Sequence, residues 1–66
     1  MDWLKQIRLK KELTQKETAL RAKITLQHYN YIERGLRNPS PRTAVRISEV
    51  LDFDWVRFFE NNDAEE

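Results

Sequence analysis

Residues 14–35, TQKETALRAKITLQHYNYIERG, have a pattern typical of two short helices joined by a tight turn. The hydroxyl of Thr14 can accept a hydrogen bond from the amide of Glu17. The carboxylate of Glu17 can in turn accept a hydrogen bond from the amide of Thr14. This reciprocal pair is a capping box, and it begins a helix. Ala19 and Ala22 share one face of that helix. Such small residues let a second helix pack closely across it, as a helix-turn-helix requires.

The second helix of the pair is predicted to follow Ile24 directly. Thr25 is its candidate N-cap, and Tyr29 and Ile32, three residues apart, mark its inner face. Gly35 ends the helix, since glycine readily takes the left-handed conformation that follows many helix ends. The sequence therefore predicts a helix-turn-helix in the middle of the chain.

A further helix is predicted before this motif. Asp2 is expected to cap it, and the helix should run to about Lys11. Leu4 and Ile7, together with Trp3, should face inward, while the lysines of this segment stay in water.

Two more helices are predicted after the motif. Ser40 followed by Pro41 is an N-cap with a proline at the first helical position, so a helix should cover residues 41–51. Asp54 should cap a last short helix over residues 55–60, and residues 61–66 should form an acidic disordered tail.

No strand pattern appears. The expected fold is all-α, a compact five-helix bundle over residues 1–60. The expected inner face of its fourth helix is Ala44, Ile47, Ser48 and Leu51.

Size and composition restrict the class of protein. A chain of 66 residues has room for one domain, and a domain this small buries only ~60% of its unfolded surface, so dimerisation would help to stabilise it. The absence of cysteine excludes a disulfide framework and a thiolate metal site. No apolar run approaches the ~18 residues of a spanning helix, and no secretory signal pattern opens the chain. We therefore expect a cytoplasmic protein that has no membrane partner.

Charge is distributed unevenly along the chain. Residues 1–46 hold eleven lysines and arginines and four acids, a net charge of +7, whereas residues 47–66 hold one arginine and seven acids, a net charge of −6. A basic body with an acidic end indicates a polyanionic partner on one face. The alternative is an ordinary solvated surface with an acidic tail, because charge blocks of this size are common in small domains.

The positions that carry a family resemblance are spread over residues 3–59. They are Arg8, Thr14, Gln15, Ala19, Ile24, Thr25, Tyr29, Ile32, Glu33, Gly35, Arg37, Pro39, Ser40, Ile47, Leu51, Asp54, Trp55, Phe58 and Phe59. In combination, these residues resemble the Cro/CI-type (XRE-like) repressor family. That resemblance implies a lambda-repressor-like DNA-binding domain, often of a phage or prophage regulator that binds its operator as a dimer.

Three positions depart from the family's pattern. Glu12 and Lys23 stand where the family often has glycine, in turns where a left-handed residue is common, so each side chain should impose a modest strain there. Thr18 replaces an apolar residue that is frequent in the family, which should alter the packing of the second helix and leave its role unchanged.

The resemblance places the helix after Thr25 in the major groove as the recognition helix. Gln27 is the best candidate base reader, because its amide can pair with both N6 and N7 of adenine. Leu26 could touch a thymine methyl group or simply be exposed, and His28 is expected to be a surface residue near DNA and not a metal ligand. Asn30 and Tyr31, one turn further on, would reach bases or the sugar-phosphate edge.

Other polar residues are expected to hold the DNA backbone, although each could equally be an ordinary solvated group. In the family, a glutamine at the position of Gln15 bonds a phosphate, where the helix N-terminus adds positive potential. The remaining candidates are Thr25, Arg37 and Asn38, with Lys16, Arg34 and Arg42 adding to them. Such contacts fix the register on DNA without reading its sequence.

The family also pairs an arginine of the first helix with the glutamate that ends the third. Arg8 and Glu33 occupy those positions. A planar guanidinium can hold a carboxylate through two bonds, and the pair would fix the angle at which the recognition helix is presented. The alternative is two separate surface charges.

The aromatic residues near the end of the chain are numerous for so small a bundle. Trp55, Phe58 and Phe59 should share a face, and one or two aromatic residues should complete the core. The candidate dimer patch consists of Phe53, Trp55, Val56, Phe58 and Phe59. A purely core role for these residues remains the alternative.

The predicted function is that of a sequence-specific DNA-binding transcriptional regulator, most simply a repressor, acting as a homodimer on a double-stranded operator. The alternative is a small protein-interaction module, such as an antitoxin-like component. An enzyme is not expected, because no paired carboxylates, activated nucleophile or metal cluster is visible. We expect no cofactor and no small-molecule ligand.

Overall fold

The computed structural model describes residues 1–60, and this part of the chain is helical without any β-strand. The elements, in chain order, are α1 (Asp2–Lys10), α2 (Gln15–Ala22), α3 (Leu26–Glu33), α4 (Pro41–Leu51) and a C-terminal 3₁₀ helix (Trp55–Phe59). The all-α prediction is confirmed. The acidic tail predicted for residues 61–66 lies outside the described residues.

The prediction of five α-helices is slightly wrong, because the last helical segment is a 3₁₀ helix. Its five residues leave room for little i→i+4 bonding, and it closes through the shorter bond from the amide of Arg57 to the carbonyl of Asp54, 3.0 Å. Asp54 caps this segment as predicted, since its carboxylate accepts the amide of Val56 at 3.1 Å.

The start of α1 also differs from the prediction. Met1, and not Asp2, is the N-cap, and no side chain caps the helix. Asp2 instead lies in the first turn, where a negative charge is favourable at the positive end of the helix dipole. The helix ends at Lys10, one residue earlier than expected.

The helix-turn-helix has the predicted caps. The amide of Glu17 donates to the hydroxyl of Thr14 at 3.0 Å, and the amide of Thr14 donates to the carboxylate of Glu17 at 2.8 Å, which completes the capping box. At the start of α3, the hydroxyl of Thr25 accepts the amide of His28 at 3.0 Å. These bonds satisfy amides that would otherwise lack a partner at each helix start.

The core lies where α2, α3 and α4 meet, with α1 closing one side. Its apolar members are all at most 2% exposed: Leu4, Ala19, Ala22, Tyr29, Ile32, Ala44, Ile47 and Leu51. Every one of them was expected to face inward. Ser48 is buried as predicted, and the buried Thr18 donates its hydroxyl to the carbonyl of Thr14 at 2.9 Å, so its polar group is satisfied inside the core.

The C-terminal 3₁₀ helix is attached to α1 by an aromatic cluster. The ring of Trp3 lies 5.3 Å from those of Phe53 and Phe58, which are 5.5 Å from one another. The guanidinium of Arg57 lies 4.5 Å above the Trp3 ring, a cation–π contact on the outside of the cluster. Phe53 and Phe58 therefore complete the core.

Within residues 1–60, each of the four α-helices is followed by a residue in the left-handed conformation. Gly35 has φ +77°, and the following amide, of Leu36, donates to the carbonyl of Tyr31 at 2.8 Å, which is a Schellman ending. Glu12 and Lys23 have φ of 59° and 62°, as expected for positions where the family often has glycine, and Asp52 is a further case at 67°. Each of these three side chains is held in a conformation that costs L-residues ~1–2 kcal/mol.

We predict that Lys23→Gly stabilises the domain by about 0.5–1 kcal/mol, because relief of left-handed strain outweighs the extra chain entropy that glycine brings to the unfolded state. Urea unfolding followed by circular dichroism measures the change. Lys23→Ala is the matched control, since it removes the same charge and keeps the Cβ. Equal stability of the two variants would contradict the strain argument.

The buried carboxylate of Glu33 should make stability depend on pH. Glu33→Gln keeps the shape of the side chain but removes its charge opposite the buried guanidinium of Arg8, 2.8 Å away. We expect this variant to lose about 3 kcal/mol at neutral pH. The pKa of Glu33 is lowered from its ordinary 4.5, so the advantage of the native residue is complete above that pH. It is lost as pH falls through the lowered pKa of the folded state.

Urea unfolding of both proteins between pH 7 and pH 3 tests this dependence. The difference in their free energies of unfolding should narrow at the acid end, since protonated glutamate and glutamine are then nearly equivalent. A difference that is constant across the range would contradict the assignment.

Candidate nucleic-acid interface

The carboxylate of Glu33, at the end of α3, accepts four hydrogen bonds. Its Oε2 accepts from Nε of Arg8 at 2.8 Å and from the hydroxyl of Tyr29 at 2.7 Å. Its Oε1 accepts from Nη2 of Arg8 at 3.1 Å and from Nε2 of Gln15 at 2.8 Å. These donors come from α1, α2 and α3, and they match the acceptor capacity of a carboxylate. The guanidinium of Arg8 and the carboxylate of Glu33, whose pairing the family resemblance implies, thus lie in bidentate contact.

This pair is buried and its charges are stabilised by their partners. Arg8 and Glu33 are each 7% exposed, and Nη1 of Arg8 also donates to the carbonyl of Leu13 at 2.8 Å. Burial acts to raise the pKa of Glu33, but the hydrogen bonds from Arg8, Gln15 and Tyr29 outweigh burial and lower that pKa overall. Burial, followed by the bond to Glu33, raises the pKa of Tyr29. The tyrosine therefore stays neutral and donates to the carboxylate.

The network continues from Glu33 to the outer face of the helix-turn-helix. Gln15 uses its Nε2 on Glu33, and its Oε1 accepts from Nδ2 of Asn30 at 3.1 Å. Asn30 in turn accepts from Nη1 of Arg34 at 3.4 Å. Gln15 and Asn30, expected to contact phosphate and base respectively, are thus bonded to each other, and each keeps one amide proton that these bonds do not use. Sequence reasoning missed this link, for which no local spacing gives a signal.

The outward side of α3 carries the proposed base readers. Leu26 is 46% exposed, Gln27 is exposed, and His28 and Tyr31 are half-buried. Nε2 of Gln27 donates to the hydroxyl of Tyr31 at 3.0 Å, across one helical turn. This bond was not anticipated, although the i,i+4 spacing that allows it is visible in the sequence.

A shallow cleft of about 230 Å³ brings together residues from α3 and from the loop that follows it. Its lining residues are Thr25, Gln27, His28, Tyr31 and Arg37. The groups around it are hydroxyls, an amide, an imidazole and a guanidinium, with no carboxylate among them. A cleft with such donors suits an anionic or hydrogen-bond-accepting ligand surface.

The arginine, asparagine and lysine residues proposed to hold phosphate are all exposed. Arg34, Arg37 and Asn38 follow α3, and Arg42 lies in the first turn of α4; all four are exposed. Lys16, also exposed, lies in a second groove beside α2 with Leu20 and Leu26. The hydroxyl of Thr25 already serves as the N-cap of α3.

The structure divides the aromatic residues that were predicted as a dimer patch. Phe53 and Phe58 pack against Trp3 and are half-buried, whereas Trp55, Val56 and Phe59 are 38%, 42% and 46% exposed. These three, with Pro41, line a shallow apolar groove of about 320 Å³. We call this set the apolar patch. The three aromatic residues predicted to share a face are divided: Phe58 packs against Trp3, whereas Trp55 and Phe59, whose ring centroids are 5.8 Å apart, line the apolar patch.

Two negative findings concern only the part of the chain that the structure describes. None of the helices in residues 1–60 combines the length and apolar character needed to cross a membrane. Within the same residues, no group of three or more histidine or carboxylate side chains is arranged to hold a metal ion.

Comparisons with known proteins agree with this architecture. A helix-turn-helix family model matches residues 4–58. The chain is 48% identical over 59 residues to an uncharacterized HTH-type transcriptional regulator, YqaF, of Bacillus subtilis (strain 168), over 89% of this chain and 78% of that protein. No solved structure gives a significant match. The chain belongs to the XRE-like helix-turn-helix family and is a DNA-binding transcriptional regulator.

Proposed function

We propose that this regulator is a repressor that binds a roughly palindromic operator as a homodimer, with α3 of each subunit in the major groove. The observation that carries the proposal is the cleft on the outward side of α3, where Gln27, Tyr31 and Arg37 lie side by side. In this arrangement the amide of Gln27 reads a base edge, and Arg37 neutralises a nearby phosphate.

The Glu33 network supports this proposal by linking α3 to its two neighbours. A recognition helix must be presented at a fixed angle, because its side chains reach base edges only from one position in the groove. The carboxylate of Glu33 is hydrogen-bonded to Arg8 on α1 and to Gln15 on α2. Gln15 retains one amide proton at the N-terminal end of α2, which would donate to a backbone phosphate as the family resemblance implies.

The charge distribution favours one orientation on DNA. The basic residues 1–46 include all of the proposed contacts, and the acidic residues 47–66 follow them. The apolar patch lies in this acidic segment, apart from Pro41. We propose that two copies of the chain meet there. A two-fold arrangement would put the half-sites ~34 Å apart, one turn of DNA.

We also propose how the regulator acts. It would occupy its operator in the cytoplasm and block polymerase, without a cofactor or a small-molecule ligand. A phage or prophage origin stays a prediction. The rival proposal is an antitoxin-like interaction module, which would use the apolar patch to bind a different protein.

The first test separates base reading from phosphate anchoring. We expect Gln27→Ala to weaken binding to an operator selected from a random duplex pool by about 10-fold or more, with little effect on random DNA. Arg37→Ala should weaken both about equally and reduce the salt dependence of binding. Fluorescence anisotropy titrations at several salt concentrations measure the affinities for operator and random DNA and their salt dependence. An unchanged ratio of operator to random binding in Gln27→Ala would show that another residue reads the DNA.

The second test concerns the homodimer. Phe59→Asp places a charge in the apolar patch, so the dimer should dissociate at concentrations where the native protein remains dimeric. Leu20→Asp is the matched control, because Leu20 is 75% exposed on α2 and lies outside the patch. Sedimentation equilibrium measures the mass. A native protein that is monomeric at high concentration would contradict the homodimer and favour the interaction module.

A further inference from the structure

We infer that Gln27 and Tyr31 read DNA as one coupled unit, in which the tyrosine hydroxyl fixes the amide of the glutamine and itself contributes a donor to the DNA. This inference rests on the proposed function of α3. It assigns a specificity-determining role to the Tyr31 hydroxyl and states how that role depends on Gln27.

The first step is the hydrogen bond between the two side chains. Nε2 of Gln27 donates to the Tyr31 hydroxyl oxygen at 3.0 Å, on the exposed side of α3. A free glutamine on a helix surface samples several rotamers and both orientations of its amide. The bond selects the orientation in which the nitrogen faces Tyr31, so less conformational entropy is lost when DNA is bound.

The second step is a count of donors and acceptors. The carboxamide of Gln27 has one oxygen and two amide protons, and the bond to Tyr31 uses one proton. The oxygen and the second proton remain, which are the two groups needed to pair with N6 and N7 of adenine. The bond to Tyr31 is therefore compatible with bidentate reading of adenine.

The third step concerns the tyrosine proton. The Tyr31 oxygen accepts from Gln27, so its own proton is free to donate elsewhere. The neighbouring groups in the cleft, His28 and Arg37, lie alongside Tyr31. Among the described residues the Tyr31 hydroxyl donates no hydrogen bond to another group, whereas DNA offers base and phosphate oxygens as acceptors. The pair thus presents an acceptor and two donors in a fixed order.

Coupling of this kind is measured by a double-mutant cycle. Gln27→Ala removes the amide, and Tyr31→Phe removes only the hydroxyl of a half-buried ring, so both variants should fold like the native protein in thermal unfolding. Each protein is titrated with the operator selected by the native protein from a random duplex pool, and with random duplex. We expect the loss of operator affinity in the double variant to be smaller than the product of the single losses by about 3- to 10-fold.

The matched control is the cycle of Gln27→Ala with Arg37→Ala. Arg37 lines the same cleft, and no hydrogen bond joins it to Gln27 among the described residues. The fold-losses of operator affinity caused by Arg37→Ala and by Gln27→Ala should therefore multiply in the double variant. If the losses of the Gln27 and Tyr31 variants also multiply, or if Tyr31→Phe leaves operator affinity unchanged, the coupled reading is wrong while the proposed function stands. Selection of no sequence by the native protein would overturn the proposed function, and the coupling with it.

Discussion

The structure depends on one buried carboxylate. Glu33 ends α3 and accepts donors from Arg8 on α1, Gln15 on α2 and Tyr29 on α3 itself. The backbone nitrogen of Met1 also donates to the carbonyl of Glu33, at 2.7 Å. A buried ion pair is weak support for stability as such, because desolvation offsets much of the attraction. Its effect here is geometrical, since it fixes the end of α3 to both neighbouring helices.

That geometry determines which side of α3 faces away from the core. Tyr29, Ile32 and Glu33 are turned into the core or the network, so the opposite side, with Gln27 and Tyr31, faces outward. Asn30 lies at the boundary and is bonded to Gln15. The core network and the proposed reading surface therefore share the two helices of the motif. We expect a substitution at Glu33 to affect DNA binding by changing the angle at which α3 is presented, and not by removing a contact with the DNA.

Much of this arrangement could be predicted from the sequence, because local rules determine it. The capping box of Thr14, the proline at the start of α4 and the apolar spacing of Tyr29 and Ile32 each depend on residues close together in the chain. The left-handed turns at Glu12 and Lys23 followed from the family's glycines.

The remainder could not be predicted, because it depends on where separate elements meet. The bond between Gln15 and Asn30 joins side chains on two helices, and neither residue indicates it alone. The division of the aromatic residues depends on Trp3, which lies 50 positions before Phe53 in the sequence. Phe53 and Phe58 pack inward against Trp3, and the apolar patch is left exposed. The 3₁₀ form of the last segment could not be predicted either, since the spacing of its apolar residues suits an α-helix equally well.

In our proposal, Glu33 holds α3 so that residues 26–31 meet a DNA duplex. This can be tested by titrating the isotopically labelled protein with its selected operator and following the amide signals by nuclear magnetic resonance. We expect the largest changes on residues 26–31, on Gln15 and on Arg37. The signals of the core residues should change little. Changes concentrated on residues 55–59, with the signals of α3 unmoved, would contradict it.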